Sequence, residues 1–85
     1  MTKSLIIGCG NLGQNIIGGF YKKKKKTLIC DKNKILLNEI KKKYKNFFEI
    51  TDNLKEVSLK KIEYIFLCIK PQQVLSVLRI LGNKN

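Results

Sequence analysis

At 85 residues the chain has room for one domain, and a chain this short buries roughly 60% of the surface its unfolded form exposes, so marginal stability is expected. Hydrophobic residues make up 44%, enough for a folded interior, while no apolar run is long enough to span a bilayer and Met1-Thr2-Lys3 leads straight into a strand, leaving no room for a signal peptide. A cytoplasmic protein with no membrane partner is expected. The net charge of +12 raises the question of nucleic acid, but lysine supplies almost all of it, Arg79 is the only arginine, and no base-reading motif accompanies them. The run Lys22 to Lys26 falls where a helix would end, a place that suits cations. It reads as a solvated connection, with no nucleic-acid partner expected.

In chain order, Leu5-Ile6-Ile7 is a short buried strand closed by a glycine turn. Leu12, Ile16 and Phe20, with Ile17 beside them, repeat as one face of a helix reaching Tyr21. Thr27 to Cys30 is a second strand, ending at Asp31. Asn33 can cap a helix running to about Lys45, with Leu36, Ile40 and Tyr44 inward. Phe47 to Ile50 is a third strand, Leu54 to Ser58 a short helix, and Tyr64 to Ile69 the strongest strand pattern in the chain. Lys70-Pro71 stops that strand, because proline suits the first helical position and pushes the residue before it to extended geometry. Val74, Val77, Leu78 and Leu81 then form the stripe of a final helix that Gly82 ends.

Alternating strands and helices demand a parallel sheet with right-handed crossovers. The fold expected is α/β: a Rossmann-like parallel sheet of order 3-2-1-4 flanked by helices, an incomplete doubly wound fold covering residues 1–85. Ligands in such sheets bind where the strand order reverses, between the first and fourth strands. Both Gly8–Gly13 and Lys70-Pro71 fall there.

Gly8-Cys9-Gly10-Asn11-Leu12-Gly13 is a G-x-G-x-x-G pattern set between a strand and a helix, with an acidic residue closing the next strand. The first glycine makes the tight turn, the second leaves room for a pyrophosphate, and the third lets helix and strand pack closely. The helix N-terminus offers unpaired N–H groups to the anion, and a basic surface attracts it. A dinucleotide is the ligand expected. Cys9, Cys30 and Cys68 show no C-x-x-C spacing, and the chain has no histidine. Reduced interior thiols are expected. All three should lie near the C-terminal ends of neighbouring strands, so a three-thiolate metal site is the alternative there, although no metal is assigned.

Ile7 to Gly13, followed by Ile17-Gly18-Gly19-Phe20, resembles the N-terminal fingerprint of pyrroline-5-carboxylate reductases. Phe66 to Gln72, followed by Val74-Leu75, resembles that family's second hallmark at the end of its fourth strand. The resemblance runs over essentially the whole chain. It implies an NADPH- or NADH-dependent reduction of a C=N bond in proline biosynthesis, with Gly8, Gly10, Asn11, Leu12 and Gly13 on the pyrophosphate and Lys70 and Pro71 lining the nicotinamide side. Asp31, eighteen residues after Gly13, fits the ribose of NAD, whereas the family often places Ser, Asn, Arg or Thr here for NADP. Lys32, Asn33 and Lys34 could neutralise a 2′-phosphate if Asp31 turned away, so NADP and NAD both stay open.

The resemblance also implies further strands and an all-helical domain for dimerisation and substrate binding, which these 85 residues do not hold. No catalytic residue is assigned, and the chain is expected to bind cofactor without turning over pyrroline-5-carboxylate unless that domain is supplied. The exposed edge of the fourth strand and the helix face around Leu78 and Leu81 offer a route to oligomers. Two other readings remain: a stand-alone nucleotide-binding regulatory module, and the N-terminal part of another NAD(P)-dependent dehydrogenase, such as a hydroxyacid or deazaflavin-linked NADP reductase.

Overall fold

A computed structural model describes residues 3–84. Met1 and Thr2, on which the reading of the leader rests, lie outside the described residues. Four parallel strands, β1 (Ser4–Ile7), β2 (Leu28–Cys30), β3 (Glu49–Thr51) and β4 (Tyr64–Leu67), form one sheet in the order β3-β2-β1-β4. Helix α1 (Asn11–Lys22) joins β1 to β2 and α2 (Lys34–Lys43) joins β2 to β3. A single 3-10 turn (Leu54–Glu56) lies on the way to β4, and α3 (Pro71–Gly82) follows it. The Rossmann-like α/β fold and its strand order are as expected. No described helix is long and apolar enough to cross a membrane.

Side chains alternate across the sheet, as the two-residue strand period requires. Ile6 and Ile29 face α1 and α2, where Cys9, Ile17, Leu37, Ile40, Tyr44 and Phe48 complete the larger core cluster. Leu5, Ile7 and Cys30 point the other way, onto Leu54 and Val57 of the β3–β4 connection and Val77, Ile80 and Leu81 of α3. At the foot of β1 the buried Ser4 hydroxyl donates to Thr27 Oγ1 at 2.8 Å, and Thr27 Oγ1 donates to the Ser4 carbonyl at 3.1 Å, so neither hydroxyl is buried unpaired.

Several expectations shift by part of a turn. Helix α1 buries Gly13 and Ile17, while Leu12 is 61% exposed, because the close approach at Gly13 sets which face meets the sheet. In α2 it is Leu37, with Ile40 and Tyr44, that is buried; Leu36 lies at the margin. The third strand begins at Glu49 because Phe47 and Phe48 are drawn into an aromatic cluster with Tyr21 and Tyr44, with Phe47 and Phe48 ring centroids 5.0 Å apart. The predicted helix over Leu54 to Ser58 is only the 3-10 turn. Strand β4, the strongest strand pattern in the sequence, is the most exposed strand: it lies at the sheet edge, with Tyr64 62% and Ile65 39% exposed. Leu78 of α3 is 48% exposed as well, and Ile80 takes the inward place instead.

Helices α1 and α2 end alike. Lys25 N–H bonds Phe20 O at 2.9 Å and Lys24 N–H bonds Tyr21 O at 3.0 Å; Asn46 N–H bonds Lys41 O at 2.9 Å and Lys45 N–H bonds Lys42 O at 3.3 Å. These are Schellman pairs, and they put Lys24 and Lys45 in the left-handed region (φ 56° and 53°), where glycine is the usual occupant. Both ends lie at the rim where the strands begin, opposite the glycine turn. The lysines there lie over aromatic rings, Lys24 on Tyr21 and Lys26 on Phe47 at 4.5 and 3.7 Å from the centroids.

Candidate functional site

The glycine turn leaves β1 at the C-terminal rim of the sheet, at the point where the strand order reverses between β1 and β4. Gly8 has φ 99°, and its N–H donates to the Cys30 carbonyl at 2.8 Å, tying the turn to β2. A Cβ at Gly8 would strike the Cys68 carbonyl and approach Ile69 Cγ2 to 2.9 Å; one at Gly13 would strike the Gly8 carbonyl. Backbone packing therefore demands glycine at both positions. Gly10 is different. Its φ is −73°, which any residue adopts, and nothing lies within 4 Å of where its Cβ would stand.

Gly10 is also the N-cap of α1, and no side chain caps that end. The first helical bond runs from Gln14 N–H to Gly10 O at 2.8 Å, so the N–H groups of Asn11, Leu12 and Gly13 have no carbonyl inside the helix to bond. The first turn carries no acidic residue, and Asn11 and Leu12 are exposed. Open space beside Gly10 and unpaired donors on the same turn suit an anionic group with several oxygens.

Asp31 follows β2 and is half-buried beside the turn. Its Oδ2 accepts the Cys9 N–H at 2.8 Å and the Cys9 thiol at 3.2 Å, and its Oδ1 accepts the Asn33 N–H at 2.8 Å. The carboxylate is thus held facing the glycine turn. Swinging it out would strip the Cys9 N–H of its partner, at a cost of about 1–3 kcal/mol. Gln14 Nε2 donates to the Cys9 carbonyl at 3.1 Å, so the backbone of Cys9 is held at both its N–H and its carbonyl. Burial, then the hydrogen bond to Asp31 and its charge, push the Cys9 thiol up to about 12. Burial, reinforced by the negative charges of Asp31 and Asp52, pushes Cys30 up to about 11, and burial also raises Cys68.

The polar residues after Asp31 make contacts within the fold. Asn33 caps α2, its Oδ1 accepting from Ile35 N–H at 3.0 Å and Leu36 N–H at 3.2 Å. Lys32 is exposed. Lys34 pairs with Asp52 at 3.3 Å, at the edge of a depression of about 400 Å³ also lined by Leu37, Asn38, Ile50 and Thr51. The condition under which this lysine would meet a 2′-phosphate, Asp31 turned away, is not the geometry found.

Across the crevice, Cys68 N–H donates to Ile7 O at 2.7 Å, and two residues later Lys70 begins α3 with Pro71 at its first position, both exposed. Gln73 Oε1 accepts the Lys70 N–H at 3.2 Å while Gln73 N–H bonds the Lys70 carbonyl at 2.9 Å. The structure thus brings Gly8, Gly10, Gly13, Asp31 and the strand leading to Lys70 to one rim. It does not bring the three thiols together. Cys9 and Cys68 lie with the α1–α2 core and Cys30 on the opposite face of the sheet. Among the described residues no three His, Cys, Asp or Glu are placed to hold a metal ion.

Three contributors escape a reading of the sequence: Cys9, Gln14 and Gln73. Gln73 was signalled by its place three residues after the cap, where a Glu or Gln commonly reaches back. The contact of Cys9 with Asp31 follows only from the register, which pairs Ile7 with Cys30 and so brings the two following segments side by side.

Residues 3–85 match the model of the family described as NADP oxidoreductase, coenzyme F420-dependent. That family takes in the N-terminal domains of pyrroline-5-carboxylate reductases. Comparison with curated proteins and with solved structures finds no match. The family is one of nicotinamide-dinucleotide-type binding, which is the ligand class that the open glycine turn and its free donors suit. By this match over nearly its whole length, the chain belongs to the NADP oxidoreductase, coenzyme F420-dependent, family.

Proposed function

We propose that these residues are the nicotinamide-dinucleotide grip of a pyrroline-5-carboxylate reductase-like oxidoreductase. The observation that carries the proposal is Gly10, a position that the surrounding protein leaves open, beside three unpaired helix donors. In this reading the N–H groups of Asn11, Leu12 and Gly13 hold the pyrophosphate, and Asp31 accepts from the adenosine ribose. Lys32 and Asn33 border that ribose, and Lys70 and Pro71 border the nicotinamide. The bound cofactor supplies hydride. The protein's own part is to fix the pyrophosphate with preorganised dipoles, so that the nicotinamide end is directed toward the β1–β4 crevice. The reductase reading rests on the Phe66–Gln72 segment, whose Lys70-Pro71-Gln72 joint stands on that crevice. We place the substrate site on a helical domain outside these 85 residues, and expect reduction of pyrroline-5-carboxylate only when it is supplied.

Calorimetric titration of the 85-residue chain with NADH and with NADPH tests the grip. Binding of at least one cofactor by millimolar concentration is expected, and Gly10→Val should abolish it while leaving the circular dichroism and melting temperature unchanged. No heat with either cofactor overturns the proposal.

A second reading is favoured by the family's description: the partner in hydride exchange is a deazaflavin instead of a cyclic imine. Oxidation of NAD(P)H by the chain together with its helical domain, assayed with each acceptor in turn, separates the two.

A further inference from the structure

The carboxylate of Asp31 is not free to choose its direction. Three donors hold it: two from Cys9 on Oδ2, and the Asn33 N–H on Oδ1. A carboxylate has about four acceptor positions, so roughly one remains, on Oδ1. That position can take a ribose hydroxyl, which donates. It repels a 2′-phosphate, which brings only acceptors and negative charge. Cys9 itself is fully buried, and its carbonyl is anchored by Gln14, so the donors that aim Asp31 sit on a residue shielded from solvent. Of the nearest basic residues, Lys34 pairs with Asp52 at 3.3 Å and Lys32 is exposed.

We infer that this site selects the cofactor lacking the 2′-phosphate, and that Cys9 is the positioning residue that makes Asp31 selective. This inference rests on the dinucleotide-binding reading given above. It runs against the NADP in the family's description, and it assigns a task to the second residue of the glycine pattern, whose identity the pattern itself leaves unspecified.

The test compares dissociation constants for NADH and NADPH in the 85-residue chain and in three variants, each checked for folding by its melting curve. The native chain should bind NADH roughly tenfold tighter or more, equivalent to about 1.4 kcal/mol. Asp31→Asn keeps the shape but removes the charge, and should bring the two constants together. Cys9→Ala keeps the backbone donor but loses the thiol donor; it should lower the NADH preference several-fold, and Cys9→Ser, which restores a donor, should recover it. Equal affinity of the native chain for both cofactors overturns the inference while leaving the binding reading intact. A preference that Asp31→Asn abolishes but Cys9→Ala leaves unchanged removes the positioning role of Cys9. No binding of either cofactor removes the reading on which the inference stands. Should Cys9→Ala fail to fold, the native and Asp31→Asn chains still decide the selectivity, and Cys9→Ser, which keeps the bond, must match the native ratio for the role to survive.

Discussion

Gly8 and Gly13 are required by backbone that would collide with any Cβ, whereas Gly10 is surrounded by open space. The same pattern letter therefore carries two physical meanings: substitution at 8 or 13 acts on folding, and substitution at 10 acts on what enters from outside. The thiols divide in a comparable way. Cys9 and Cys30 are buried, while Cys68 is half-exposed. Because the folded state raises the Cys9 and Cys30 thiols to about 12 and about 11, from an ordinary value of 9.0, the native protein keeps protons that the unfolded chain releases above pH 9. Their contribution to stability is complete below pH 9 and is lost as pH rises toward 11 and 12. Thermal melts should therefore fall between pH 8 and pH 10.5, and fall less steeply in Cys30→Ala. An equal slope in the two proteins would show that burial of this thiol does not set the alkaline limit. With a thiol reagent at pH 8, Cys68 should react first.

At the scale of elements, the two Schellman ends place lysine where the backbone prefers glycine. Left-handed geometry costs a non-glycine residue roughly 1–2 kcal/mol, part of which glycine gives back in chain entropy. Lys24→Gly and Lys45→Gly should each stabilise the protein by about 0.5–1 kcal/mol, read as a higher urea midpoint with unchanged slope. Asn33→Ala, which removes the two-bond cap of α2, should cost about 1 kcal/mol. The caps and the order of elements were legible in the sequence because each depends on neighbours a few residues away: Asn33 before the α2 stripe, Pro71 after β4, glycines after β1. What was not legible depends on distant partners. The start of β3 moved because Phe47 and Phe48 pack with Tyr21 and Tyr44, and the inward face of α1 shifted from Leu12 because Gly13 seats against Gly8. The apolar content of β4 says that it favours burial, not that neighbours cover both its faces. In the site, the glycines and Asp31 were visible as a pattern. The clamp on Asp31 was not, since it needs the β1–β2 register.

The described residues span 32 × 26 × 18 Å, and the 85-residue sequence carries a formal charge of +12. Lowering ionic strength from about 0.15 M to about 0.01 M lengthens the screening distance from about 8 Å to about 30 Å, from a fraction of the molecule to nearly its full length. Self-repulsion should then act across the entire fold, so the melting temperature should rise with added salt, while affinity for an anionic cofactor should fall. Opposite slopes in the two measurements are the expected result; parallel slopes would mean that the lysines govern neither. The arrangement of those lysines has a practical side. They gather at the rim where the strands begin, on the ends of α1 and α2, and the glycine turn opens at the other rim. A protein built this way is an electrical dipole with the proposed cofactor crevice at the less basic pole. Adsorbed to a negatively charged chromatography bead, it should lie lysine end down, with the crevice facing the mobile phase and still able to take up dinucleotide.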